Sequence, residues 1–297
     1  MTQAHPPQVR AIDDISVVIP TIGRVALKDC IESIAAGQSQ PAHLIVVDQS
    51  YDGQVSALLD TFMARGVKIE HIRSSQRGAG AARNRGMEIV QTPFIAATDD
   101  DCLVDENWLQ RLSARLHEHP DRIITGQVRP DGDGEAVSTI TSNTRVTHSK
   151  PILNRDPLFS ANMGLAKAVM DRIGPFSEDK RLAFAEDAEW SYRALKIGVP
   201  IEYAPEIVVT HTGWRNEAER REQYKRYARS QGAFYGIYLR RGDTFIARRA
   251  VYDLLRGPWM LVKGLVTSNA DLTSIGQAYL TQLPIGLLSG CQRPQTS

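Results

Sequence analysis

Short apolar runs alternate with segments of helical period along the first two-thirds of the chain. ISVVIP (15–20), LIVVD (44–48), VKIEHI (67–72) and FIAAT (94–98) are rich in β-branched residues, and ISVVI and LIVV carry no polar alternation. Such runs read as strands covered on both faces. Between them lie a helical pattern ending near Gln38, a second from about Val55 to Arg65, and GAGAARNRGMEIV (78–90). Strand and helix in alternation imply βαβ units and a doubly wound, mostly parallel sheet flanked by helices. Farther on, ANMGLAKAVMDRIG predicts a strand and a helix, and FAEDAEWSYRALKIG (184–198) a helix from near Glu186 to Gly198. Residues 130–160, richer in Gly, Pro, Ser, Thr and Asn, read as an irregular connection, expected to be a mobile loop over the site.

Past His211 the pattern changes. EAERREQYKRYARSQGAFYGIYLRR spaces Tyr224, Tyr227, Gln231, Phe234 or Tyr235, and Tyr238 as on one helix, among Lys225, Arg226, Arg229, Arg240 and Arg241. FIARRAVYDLLRGPWMLVKGLV adds Trp259 and a leucine-rich face to Arg248, Arg249, Arg256 and Lys263. That is the composition of a helix lying in a membrane interface, and equally of a helical cap on the catalytic domain or a partner subunit. The expected organisation is a disordered tail over 1–14, a nucleotide-binding catalytic domain over 15–215, and a basic amphipathic helical region over 216–297.

With 297 residues, 42% of them hydrophobic and 23% charged, the chain can bury a full-sized core. Residues 211–297 hold 13 Lys and Arg against 6 Asp and Glu, a net of +7; the remainder holds 22 against 28, a net of −6. An acidic body without a matching motif argues against nucleic acid as a partner. Cys30, Cys102 and Cys291 are odd in number and far apart, which suggests neither a disulfide framework nor a zinc site and fits a reducing compartment. No window offers the roughly 18 uninterrupted apolar residues of a spanning helix, and the first residues lack a signal peptide's apolar core. A cytoplasmic location is expected, with residues 220–290 at the inner face of the cell membrane.

In doubly wound sheets ligands bind beyond the carboxyl ends of the strands. Here those ends carry Pro20-Thr21, Asp48 and the run Asp99, Asp100, Asp101. If the run stays extended, Asp99 and Asp101 share a face, and two hard oxygen ligands suit Mg²⁺ or Mn²⁺. The plainer alternative is a solvated turn in which Asp101 or Asp105 caps the next helix. Glu186 and Asp187 open a helix, where carboxylates are favoured by the dipole or stand ready as a general base. His211 alone is more readily a core or surface residue than a ligand, unless it partners the aspartates. In RGAGAARNRG (77–86) the glycines admit either a phosphate or close helix-on-sheet packing, and Arg83 is a candidate phosphate or base contact.

The order VVIPTIGR, LIVVDQSYDG, GAGAARNRG, TDDDCLVDENWL, SANMGLAKAVMDRIGPFSE, AEDAEWSYRALKIG and then a histidine resembles the family 2 glycosyltransferases of the GT-A fold, from about Ile15 to Trp214. The resemblance implies an inverting transfer from a nucleoside-diphosphate sugar to a hydroxyl of a glycan or lipid-linked acceptor. It places Asp48 on the nucleobase with Pro20 and Thr21 lining the same pocket, and a divalent cation on Asp99 and Asp101. It gives Asp100 to ribose or sugar hydroxyls, the general base to Asp187, and completion of the metal shell to His211. Gly23 stands where an asparagine is common and VDQSYDG is shorter than usual, both near the nucleotide. QYKRY (223–227) looks like the QxxRW of processive synthases, a match better read as coincidence on a basic helix. The competing functions are a sugar-phosphate nucleotidyltransferase, which would want a basic glycine-rich loop after the first strand, and a non-catalytic nucleotide- or membrane-binding module.

Overall fold

A computed structural model of the chain describes residues 10–51, 53–131, 139–212 and 216–293. They form two compact units. The first comprises the described residues of Met1–Lys150, Leu158–Phe176 and Arg193–Trp214; the second those of Pro151–Pro157, Ser177–Tyr192 and Arg215–Ser297. Two internal segments, 151–157 and 177–192, thus group with the C-terminal helices, where the sequence pattern alone drew one boundary near 215.

In chain order the first unit holds β1 (Arg10–Thr21), α1 (Leu27–Ala35), β2 (Ser39–Asp48), α2 (Gln54–Met63), β3 (Ile69–Arg73), α3 (Ala79–Ile89) and β4 (Phe94–Thr98). β5 (Cys102–Val104), α4 (Trp108–Glu118), β6 (Ile123–Pro130), β7 (Val146–His148), β8 (Asn162–Ala166) and α5 (Lys167–Ile173) follow. A 3-10 turn (Lys180–Leu182) and the start of α6 (Glu186–Lys196) belong to the second unit; β9 (Ile201–His211) returns to the first. The sheet runs β3-β2-β1-β4-β8-β6-β9-β5, with β7 also on β9. β1, β2, β3, β4, β6 and β9 point one way and β5, β7 and β8 the other, a mixed, mostly parallel sheet.

The apolar runs of β1, β2 and β4 behave as strands with two covered faces, whereas β3, at the edge of the sheet, has no buried residue. Val17, Val18, Ile19, Leu44, Val46 and Ala96 are fully buried. β1 is longer than its apolar run: Arg10, Ala11 and Ile12 pair with Ser39, Gln40 and Pro41, so residues 10–14 are strand and not tail. Residues 1–9 of the expected tail lie outside the described residues. Within the expected loop over 130–160, Ile140 bridges Val128 and β7 pairs with β9, while 132–138 lie outside the described residues.

Beyond β4 the sheet is held by polar groups as well as by apolar packing. Asn162, fully buried on β8, accepts from Trp108 Nε1 at 2.9 Å and donates to Gln127 O at 2.8 Å and Ile207 O at 3.0 Å. Every one of those partners is itself buried, so the amide satisfies groups that would otherwise be costly.

The second unit adds α7 (Glu217–Leu239), α8 (Thr244–Val266) and α9 (Ala270–Cys291). Asn216 caps α7 in a reciprocal capping box with Glu219, and Asp243 and Asn269 cap α8 and α9. α7 and α9 run in the same direction and touch backbone to backbone: a Cβ on Gly232, Gly236, Gly286 or Gly290 would meet main-chain atoms of the facing helix. The core of this unit is aromatic, with Phe234, Tyr235 and Tyr238 packed on Tyr192, Ile246 and Leu283. Its phenols are satisfied: Tyr192 donates to Asp243 at 2.7 Å, Tyr235 to Asp253 at 2.5 Å and Tyr238 to Glu189 at 2.6 Å.

Backbone contact of this kind makes Gly286 intolerant of a single methyl. Gly286→Ala should destabilise by at least the roughly 1–3 kcal/mol typical of overpacking, since Arg229 O cannot yield without moving α7. Gly53→Ala, at φ −83° with open space around it, should cost less, under about 1 kcal/mol, because the loss of a good N-cap residue is partly offset by a stiffer unfolded chain. Urea unfolding midpoints of the two variants check the pair; equal midpoints would refute the close-packing account.

Candidate functional site

The carboxyl ends of β2, β1 and β4 lie side by side, with Thr21 in register with Asp48 and Pro20 with Val47. β1 is where the strand order reverses: the chain passes from β1 to β2 and β3 on one side, then crosses to β4 on the other. Such a switch point opens a crevice at the strand ends.

At the end of β4 the chain turns instead of staying extended, and the alternation expected for the three aspartates does not hold. Asp99 turns to α3, where Arg83 Nη2 donates to its Oδ1 at 2.5 Å. Asp100 and Asp101 both meet one nitrogen of Arg24: Nη1 donates to Asp100 Oδ1 at 2.7 Å and to Asp101 Oδ2 at 2.9 Å. Thr21 Oγ1 donates to the other oxygen of Asp100 at 2.6 Å and accepts from Gly23 N at 3.0 Å. Gly23, at φ +87°, occupies a conformation that a side chain would strain, and turns the chain just before Arg24. Burial pushes the Asp100 carboxyl above its ordinary range, against the pull of Arg24 and Thr21.

Two guanidinium groups thus face three carboxylates. The charge left over is negative, and it lies near His211, whose Nε2 is 3.5 Å from Asp101 Oδ1. β5 pairs antiparallel with β9 and sets Cys102 opposite His211. One ligand atom each from Asp101, Cys102 and His211 falls within 4.8 Å of the others. A carboxylate oxygen and an imidazole nitrogen suit Mn²⁺ or Mg²⁺, so the donor set fits a divalent cation; the thiol is a softer third donor. Burial pushes the Cys102 thiol well up, as it does that of Cys30, whose Sγ lies 3.4 Å from Asp99 O. Thr212 fixes the turn from the far side, its N and Oγ1 donating to Asp101 O at 2.8 and 3.0 Å.

Asp48, buried at the end of β2, accepts from Ser50 N at 2.8 Å through Oδ1, and its Oδ2 is 3.2 Å from His71 Nε2. Next to it, Gln49 Nε2 donates to Gly78 O at 3.0 Å and to Gln76 O, holding the loop that precedes α3. In α3 the glycine-alanine pattern serves packing: a Cβ on Gly86 would collide with Val18 and Val47 of the sheet. Arg83, 2% exposed, has its guanidinium 5.9 Å from the centre of the Phe176 ring.

Asp187 and Glu186 occupy the first turn of α6, in the second unit, where Asp187 Oδ1 accepts from Ala188 N at 2.8 Å. The third acid of that turn, Glu189, is buried and takes the Tyr238 hydroxyl. The first unit gathers Pro20, Thr21, Asp48, Arg83, Asp99, Asp100, Asp101 and His211 at the carboxyl ends of neighbouring strands and the segments bonded to them. Sequence reasoning passed over Arg24, Cys102 and His71. Arg24 had one signal, its place four residues beyond the end of the first apolar run; the pairing of Cys102 with His211 had none.

Several known proteins share this architecture. A mannosyltransferase from Pyrobaculum calidifontis, solved with GDP-mannose and Mn²⁺, superposes with a TM-score of 0.65 at 15% identity, covering 96% of this chain and 89% of that one. TarS residues 1–349 from S. aureus superpose with a TM-score of 0.56 at 14% identity, covering 89% and 90%. At those identities the likeness is one of fold. In sequence, glycosyltransferase AglE of Haloferax volcanii is 25% identical over 205 residues, 66% of either chain. Pre-mycofactocin glycosyltransferase of Mycobacterium tuberculosis is 24% identical over 250 residues, 79% of this chain and 49% of that one. The chain therefore spans between about half and two-thirds of these curated relatives. Residues 16–177, more than half of its length, match the model of glycosyl transferase family 2, and the chain belongs to that family.

Proposed function

We propose that this chain is an inverting, metal-dependent glycosyltransferase that moves a sugar from a nucleoside diphosphate to a hydroxyl of a glycan or lipid-linked acceptor, working at a membrane surface. The observation that carries the reading is the convergence of Thr21, Asp48 and the Asp99–Asp101 turn at three adjacent strand ends in a family 2 chain.

The nucleobase sits against Asp48, with Pro20 and Thr21 lining its pocket. Asp48 enters this role already oriented by Ser50 N and His71, so little freedom is lost on binding. Asp101 and His211, with Asp99 and the thiol of Cys102 at hand, would hold Mg²⁺ or Mn²⁺; when bound there the ion supplies neutralisation of the charge that collects on the departing diphosphate. Asp100, fixed by Thr21 and Arg24, presents its carboxylate to ribose or sugar hydroxyls. Arg83 holds Asp99 in place at its back. The acceptor oxygen attacks the anomeric carbon from the face opposite the diphosphate and gives its proton to Asp187. The bond from that carbon to the diphosphate oxygen breaks, its electron pair leaves with the diphosphate, and the carbon is inverted.

Thermal melts of the purified chain with UDP, dTDP, GDP or CDP and Mn²⁺ should single out one nucleotide. The stabilisation should be about 2.7 kcal/mol at a hundredfold excess over Kd and vanish with EDTA or in Asp101→Ala. No response to any of the four sinks the donor-site assignment. With that nucleotide's sugars as donors, release of free nucleoside diphosphate marks glycosyl transfer, whereas a pyrophosphate product marks a nucleotidyltransferase.

Asp187→Asn should lower kcat roughly 10²- to 10⁴-fold and leave nucleotide-induced stabilisation intact. Unchanged turnover would remove Asp187 from the base role.

Arg24, 40% exposed, is the group that a cation on Asp101 would displace. Arg24→Ala should therefore bind Mn²⁺ more tightly than the parent by calorimetry, while the metal-free protein melts lower because Asp100 and Asp101 lose their counter-charge. Weaker Mn²⁺ binding in the variant would place the metal elsewhere.

A further inference from the structure

Helix α8 has two unlike faces. Ile246, Ala250, Asp253, Gly257, Met260 and Gly264 are buried against the other helices of the second unit. On the opposite side Val251, Leu255, Trp259, Val262 and Val266 follow one another at spacings of four, four, three and four, which is one straight stripe on a helix. Leu255, Trp259, Val262 and Val266 are 69%, 58%, 60% and 80% exposed. Single exposed apolar residues are ordinary on a protein surface, but an apolar stripe from Val251 to Val266, about 22 Å of helix, is not. Leu254 and Leu265, also exposed, widen it.

The charges on α8 say what covers it. Arg248 stands at the N-terminal end of the stripe, and Lys263 lies along its rim with its ammonium 4.9 Å from the Trp259 ring centre. Arg256, on the same rim, is half-buried, 3.8 Å from Asp253. Asp253, the single acid of α8, is turned inward and takes the Tyr235 hydroxyl. The outward side is therefore apolar and cationic without an acid of its own. A two-fold contact through this stripe would bring a second copy's identical cations to a helix that has no exposed carboxylate to meet them. No helix among the described residues is long and apolar enough to cross a membrane. An anionic lipid surface meets both halves of the pattern, acyl chains taking the stripe and phosphates taking the cations.

We propose that α8 is a monotopic anchor that lies in the headgroup layer of an anionic bilayer, with Val251, Leu255, Trp259, Val262 and Val266 inserted and Arg248 and Lys263 on lipid phosphates. This narrows the membrane part of the proposed function from the whole C-terminal region to one face of one helix. α7 is left out, because its aromatic residues Phe234, Tyr235 and Tyr238 are spent in the unit's own core.

The test is flotation of the full chain with vesicles of phosphatidylcholine alone or mixed with phosphatidylglycerol, beside its mass in solution by sedimentation. Binding is expected to the mixed vesicles, to weaken with salt, and to shift the tryptophan emission to the blue in the parent but not in Trp259→Phe. Leu255→Glu with Trp259→Glu should weaken binding at least tenfold, and Arg248→Ala or Lys263→Ala about fivefold each. These positions face outward, so circular dichroism should be unchanged. Failure of the parent to float, or flotation indifferent to the Leu255/Trp259 pair, overturns the proposal. So does a parent that is dimeric without lipid and becomes monomeric in Leu255→Glu, which would identify a second copy as the occupant. Nucleotide-induced stabilisation, measured on the same protein without vesicles, reports on the transferase reading separately.

Discussion

Carboxylates on three consecutive residues at the end of a buried strand can leave water only where cations meet them. Much of the first unit follows from that constraint. Arg24 must come from the loop after β1 and Arg83 from the inner face of α3, so both segments are tied to the turn after β4. The left-handed backbone at Gly23 directs the first of these, and the close approach of α3 to the sheet at Gly86 brings in the second. Thr21, by donating to Asp100, ties in the strand end between them. The strand ends at the switch point thus carry groups that hold one another in place, the kind of preorganisation that lowers reorganisation cost.

The strand-end framework was legible because its cause is local. β1, β2 and β4 announce themselves through apolar runs whose two faces are both covered, β3 is an edge strand with no buried residue, and Asp48 and the aspartate turn are read directly as the residues that end β2 and β4. β5 and β7, three residues each, carry no such signal; they are strands because β9 offers an edge to pair with. The same tertiary pairing puts Cys102 opposite His211, a juxtaposition across 109 positions of chain that no spacing rule reaches. Alternation failed at Asp99–Asp101 for a physical reason. It holds only while the backbone is extended, and salt bridges to Arg24 and Arg83 reward a turn.

For the C-terminal helices the helical spacing was legible but the assignment of faces was not. α7 and α8 both mix aromatic, leucine and basic residues, and by composition either could have lain on a surface. Packing separates them. Glycines on α7 and α9 let those two helices meet at backbone distance, which draws the aromatic face of α7 inward; Asp243, Asp253 and Glu189 then satisfy the phenols that come with it. With that core filled, the second apolar face of α8 is left exposed among the described residues. The charge split of the chain, +7 beyond residue 210 and −6 before it, is consistent with two surfaces that meet different ions.

The two arginines at the aspartate turn are alike in chemistry and unlike in consequence. Arg83 is 2% exposed and packed by Phe176, so pulling it from Asp99 would strand a buried charge, a change that typically costs about 3–5 kcal/mol. Arg24 is 40% exposed and reaches Asp100 and Asp101 through one nitrogen at the end of a flexible side chain, so water can replace it at far lower cost. Only one of the two can therefore give way. Were a divalent cation held by Asp101 and His211 as proposed above, Arg24 could leave its two carboxylates without stranding a buried charge. Arg83 would stay and keep Asp99 fixed throughout. On this reading one guanidinium is part of the scaffold, and the other holds the cation's place until donor and metal bind.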